Sequence, residues 1–206
     1  MRKTQVWMIA AILISGILAS CTKKKETVVV PEEQVEVVVD TLNPLPEYKF
    51  IGRKNYVYGI YKYLLDSINP GYTKGELSIP LINVVKADAT NSNDIKVWGD
   101  YWVFNYKLKG DTLKTVSGGS HPGLMHVKQV GETFRVTKFD QVADGSDNTP
   151  SAKKIFGNLY TAFRQINSDE KERQRKRTEA IRFYVRQNKL SIKYYQDEGW
   201  EPIDLF

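Results

Sequence analysis

Two turns with the same grammar, Lys109-Gly110-Asp111-Thr112 and Val130-Gly131-Glu132-Thr133, constrain what this chain can fold into more than any other feature. Each sets glycine first in a two-residue loop between strand-like runs, the pattern of a type II′ hairpin. The run before the first turn, Ile95 to Leu108, is dense in β-branched and aromatic residues, with Val97, Trp98, Tyr101, Trp102, Val103, Phe104 and Tyr106, which suit a pleated surface. Two-residue loops fix the register. Asn105 is expected opposite Val116 and Phe104 opposite Ser117, then Val127 opposite Val136 and His126 opposite Thr137. Between the hairpins, Gly118-Gly119-Ser120-His121-Pro122-Gly123 would break a flat ladder, and it predicts a sharp bend in one long strand and a strongly curved sheet.

Helical periodicity flanks this β region. From Lys54 to Ile68, apolar residues recur at Val57, Ile60, Tyr61, Leu64, Leu65 and Ile68 until Asn69-Pro70-Gly71 stops the helix; a possible strand, Glu76 to Ala87, follows. Ser151 to Asn167 places Ile155, Leu159, Phe163 and Ile166 on one face after Thr149-Pro150-Ser151. A further helix is expected from Asp169 to Asn188, with Ala180, Ile181, Tyr184 and Val185 as its packed stripe. Its acids lead and its bases follow, the order that suits the helix dipole. Ile192 to Phe206 is too apolar for a loose tail and is expected to dock on the body. The fold class is therefore α+β: an N-terminal helix on a strongly bent antiparallel sheet, with C-terminal helices.

The start of the chain carries an address. Arg2 and Lys3, an apolar run from Val6 to Leu18, and Leu18-Ala19-Ser20-Cys21 read as an export signal ending in a lipobox. The apolar run is about half the ~20 residues a spanning helix needs, so residues 1–20 are expected to be removed and Cys21 to carry lipid. Residues 21–47, with Pro31, Pro44 and Pro46, read as a tether, although Val35 to Val39 could add an edge strand. A single domain is expected over 48–206. Cys21 is the chain's one cysteine, so the folded part has no disulfide and no thiol nucleophile.

Removing Arg2 and Lys3 leaves 28 basic residues against 24 acidic ones. The segment Asp169 to Lys189, with eight basic and four acidic residues, holds the whole excess. Its run Arg173, Arg175, Lys176 and Arg177 is expected to form a solvated face with compensating acids. No aromatic-basic recognition motif is present, so no nucleic-acid partner is expected.

The stretches Val97-Trp98-Gly99-Asp100-Tyr101-Trp102, Gly118 to Gly123, Lys154-Ile155-Phe156-Gly157 and Gly199-Trp200 resemble uncharacterised lipoproteins of Bacteroidetes-type bacteria with NTF2-like/cystatin-like α+β domains. The resemblance implies a helix against the concave side of a curved sheet, often with a pocket at one end, and by itself no activity.

Among candidate sites, the two-residue register sets His121 opposite Asp100, the arrangement an acid–base pair needs. A hydrolase or isomerase on that pair is the alternative reading. Trp98, Tyr101, Trp102 and Tyr106, with His126, are the expected ligand-binding residues, since alternate members of the aromatic run face opposite sides of the sheet. His121, His126, Asp100 and Asp140 lack the spacing of a compact ligand motif, so neither a metal nor a cofactor is expected. The expectation is a non-catalytic, lipid-anchored envelope protein facing the periplasm from the outer membrane. Its partners would be the membrane, through Cys21, and a small ligand or an envelope protein; an assembly subunit is a further alternative.

Overall fold

In a computed structural model, residues 44–206 are described; the expected signal, Cys21 and most of the tether, including Val35 to Val39, lie outside them. Packing begins earlier than the expected boundary at Tyr48. Leu45 packs on the core, the Tyr184 hydroxyl donates to the Pro46 carbonyl (2.8 Å), and Tyr61 donates to that of Tyr48 (2.5 Å).

Helix α1 (Tyr56–Tyr63) starts at Asn55, whose side chain accepts from the Val57 N–H, one of the donors a helix start leaves unpaired. The helical path continues as a π-type turn (Leu64–Ile68) and closes as a 3₁₀ turn at Asn69–Gly71, where the sequence sets its Pro-Gly stop. Four strands follow: β1 (Leu77–Asp88), β2 (Ile95–Lys109), β3 (Thr112–Val130) and β4 (Thr133–Gln141). Each pairs antiparallel with the next. Gly110 and Gly131 have φ of 62° and 59° while Asp111 and Glu132 stay at negative φ, as a type II′ turn requires.

The sheet is strongly curled. Helix α1 with its π-type extension touches β1, β2, β3 and β4. Ile60 and Leu64 pack there against Val97, Tyr101, Val103, Met125 and Val127. The opposite face of β2 carries Trp98, Asp100, Trp102, Phe104 and Tyr106, because successive side chains alternate. It is covered by α2 (Asn148–Phe156), α3 (Tyr160–Ser168) and α4 (Glu170–Gln187). The chain ends in β5 (Tyr194–Gln196) and β6 (Ile203–Asp204). β5 runs parallel to the start of β3, so the sheet is mixed where a wholly antiparallel one was expected. The C-terminal segment docks as expected: Ile192, Tyr195 and Leu205 are buried.

Three local expectations are corrected. The single helix Ser151–Asn167 is two helices, broken at Gly157, whose φ of 51° no continuing helix residue adopts. Its buried stripe is Ala152, Phe156 and Phe163, with Ile155, Leu159 and Ile166 only partly covered. In β3 the ladder does not break at Gly118-Gly119. It runs on to Val127, with one residue, Val116, bulged out between Thr115 and Ser117. Asn105 therefore faces Ser117, Phe104 faces Gly118, Asp100 faces Pro122 and His121 faces Tyr101. In the second hairpin Val127 faces Val136 as expected, but a bulge at Thr137 sets His126 against Lys138.

Candidate binding groove

The bulge at Val116 decides the fate of the expected acid–base pair. Residues directly opposite in an antiparallel ladder share a face, so one extra residue turns His121 to the α1 side while Asp100 stays on the α2–α4 side. No hydrogen bond joins them. Asp100 is fully buried, and its carboxylate accepts from Ser120 Oγ (2.5 Å), Trp102 Nε1 (2.9 Å) and Asn167 Nδ2 (3.3 Å). His121 Nδ1 accepts from the Gln141 amide (3.1 Å), which leaves the ring proton on Nε2, 2.7 Å from the Tyr72 hydroxyl oxygen. Burial lowers the His121 pKa, outweighing the opposite pull of the Asp144 and Asp100 charges.

The expected ligand residues separate by face. Tyr101 is buried against α1, its hydroxyl donating to the Val97 carbonyl (2.7 Å), and burial raises its pKa. Trp98 is covered by α2 and donates Nε1 to the Ile155 carbonyl (3.1 Å). Tyr106 is buried, and burial, its largest influence, pushes it up to about 12. His126 sits between two carboxylates, Nδ1 2.7 Å from Asp94 and Nε2 3.3 Å from Asp140; Asp140 also pairs with Lys138 (2.9 Å). This cluster ties the start of β2 to β3 and β4. Of the expected set, Trp102 lines a groove.

That groove, of about 510 Å³, lies between β2, α4 and the C-terminal hairpin. Trp102 and Phe104 form its floor, their rings stacked at 5.4 Å and 10°. Arg173 and Arg177 of α4 lie over them, with guanidinium carbons 4.6 Å from the Trp102 ring and 4.0 Å from the Phe104 ring. Spacing explains the match. Four helical residues rise about 6 Å and two strand residues about 6.8 Å, so arginines one turn apart meet aromatics two apart on one strand face. Trp200, 74% exposed, also lines the groove, together with Glu170 and Glu201.

Arg177 overturns the expected solvated basic face. It is 7% exposed and its fork is satisfied: Nε donates to the Tyr106 hydroxyl (2.7 Å), Nη1 and Nη2 to Asp197 (2.9 and 2.8 Å), and Nη2 also to Thr115 Oγ1 (2.6 Å). Burial alone would lower its pKa, but Tyr106 and Asp197 outweigh it and hold the pKa above its ordinary value. Asp197 shows the reverse balance, burial raising it and the Arg177 and Thr115 hydrogen bonds taking it below the usual carboxylate range. One side chain thus joins α4, β2, β3 and the segment after β5. Of its neighbours, Arg175 stays solvated between Glu172 and Glu179, and Lys176 donates to Asn83 (2.9 Å).

Comparison of the chain with known protein families, curated proteins and solved structures finds no match.

Proposed function

We propose that this chain is a lipid-anchored protein of the bacterial cell envelope whose α+β domain, of NTF2-like/cystatin-like type, binds a neutral or weakly charged glycan in the groove without acting on it. The observation that carries the reading is the make-up of that groove. An exposed indole, Trp200, shares a cleft with the aromatic pair Trp102 and Phe104, over which Arg173 and Arg177 lie, and with Gln174, Glu170 and Glu201. A cleft with apolar walls and a few orienting polar groups suits a small ligand. Sugar rings offer flat C–H faces to an indole and hydroxyls to carboxylates and guanidinium groups.

Charge narrows the class. Arg177 is neutralised by Asp197, and the other charged residues of the lining are Arg173, Glu170 and Glu201, so the groove does not favour a polyanion. The separation of Asp100 from His121 removes the pair on which the enzyme alternative was built. Isothermal titration of the full chain in detergent with N-acetylglucosamine oligomers tests the proposal. Saturable heat is expected, with affinity at least about ten-fold weaker, a loss of about 1.4 kcal/mol, in Trp200→Ala. No heat, or heat unchanged by that substitution, would overturn it.

A further inference from the structure

The outer side of α4's last turns carries a surface that the groove does not use. Phe183 is 42% exposed and Phe206 57% exposed, large apolar groups left in water. Arg186, three residues along the helix from Phe183, lies over the Phe206 ring at 5.2 Å, so the two rings belong to one patch. Arg182 reaches the Leu205 carbonyl beside it, Lys189 lies one turn beyond Arg186, and the Lys193 carbonyl accepts from the Leu205 N–H (2.8 Å). Among the acids, Asp204 accepts from the Phe206 N–H on its carboxylate, Asp111 lies 3.4 Å from the Lys193 ammonium, Glu179, one turn before Phe183, is held by Arg175, and Glu47 follows Pro46. Arg182, Arg186, Lys189 and Lys193 thus stand around two exposed rings.

The path of the chain gives this patch an occupant. Pro46 is hydrogen-bonded to Tyr184, so the polypeptide leading back toward Cys21 leaves the domain at the same turns of α4. The 22 residues between Cys21 and Pro44 span at most about 75 Å when extended, so this end of α4 can reach whatever surface holds Cys21, and the cations and exposed rings of the patch, rather than the tether's length, select it as the face that meets that surface. We infer that Phe183, Phe206, Arg182, Arg186, Lys189 and Lys193 form a face that rests on an anionic phospholipid surface, the rings entering the headgroup layer and the cations meeting lipid phosphates. The inference rests on the lipid-anchor reading proposed above. It fixes which way the domain is held, with Phe183 and Phe206 toward the bilayer.

The test keeps the two apart. Flotation of the full chain and its Cys21→Ser variant with vesicles reads the anchor alone: equal flotation defeats the anchor and leaves the face to be decided by orientation. For orientation, a nitroxide is attached to Gln187→Cys, on the exposed side of α4, or to Glu132→Cys in the β3–β4 turn, at the far end of β3 from the Asp111 side chain that Lys193 meets. On vesicles mixing phosphatidylglycerol with phosphatidylcholine, the Gln187 label is expected to lose access to an aqueous relaxation agent and gain access to oxygen, while the Glu132 label stays aqueous. Pure phosphatidylcholine or high salt weakens the effect. Arg186→Glu with Lys189→Glu lowers the immersed population at least about five-fold. Gln187 remaining aqueous on the anionic vesicles, or immersion unchanged by the double reversal in a protein with unaltered near-ultraviolet dichroism, overturns the inference.

Discussion

At the scale of single residues, Arg177 shows how a charge inside an apparently solvated run becomes structural. A guanidinium is planar, holds its proton when buried and offers five donors, so one side chain can meet a phenol, a threonine and both oxygens of Asp197 while stacking on Phe104 and Tyr195. Removing it leaves the buried Tyr106 hydroxyl without its donor, whereas Asp197, partly exposed, regains water. Arg177→Met is therefore expected to cost about 2–3 kcal/mol, below the full penalty of a broken buried pair. Arg177→Lys should recover less than half of that, because an ammonium cannot span Tyr106, Thr115 and Asp197 together. Urea denaturation monitored by far-ultraviolet dichroism reads both. Equal stability of the lysine variant and the parent would contradict the account. The composition of the run gave no sign of this role, since Arg173, Arg175, Lys176 and Arg177 look alike. The sign lay in spacing: Arg173 and Arg177 one turn apart, as Trp102 and Phe104 are one pleat apart.

At the scale of elements, the turns were legible and the bulges were not. Glycine in the first loop position permits the positive φ that a type II′ turn requires there, so both hairpins could be placed to the residue. A bulge costs one residue and leaves no such mark. The first one nonetheless had a readable reason. In an unbulged ladder the fully buried Asn105 would face Val116 and leave its amide unpaired. With Val116 bulged out, Asn105 donates to Ser117 Oγ (3.1 Å) and accepts from Ser78 Oγ (2.5 Å), a polar row across three strands. The glycines after it serve close approach rather than interruption. A side chain at the buried Gly123 would meet the Asp140 carbonyl and the Phe139 ring (2.7 Å). Gly123→Ala is expected to destabilise the domain by about 1–3 kcal/mol, read as a lower thermal midpoint. A midpoint at or above that of the parent would refute the close β3–β4 contact.

For the whole molecule, the sequence carried the α+β class, the helix on a curled sheet and the docking of the C-terminal segment, because each follows from local periodicity or from apolar residues that need cover. The groove was not legible in the same way. It is assembled from Trp102 and Phe104, from Arg173 and Arg177, and from Asp197, Trp200 and Ile203, three stretches that no local pattern joins. The sequence did flag Trp102 but not Trp200 as a ligand residue, and the alternation that marked Trp102 marked Trp98 equally, which α2 covers. The four tryptophans make the central claim directly measurable. Indole N–H resonances of the ¹⁵N-labelled full chain are followed while N-acetylglucosamine oligomers are added. The account predicts saturable shifts of the Trp102 and Trp200 signals with that of Trp98, held by the Ile155 carbonyl, unmoved. Shifts at Trp98 without Trp200, or none at saturating glycan, would contradict it.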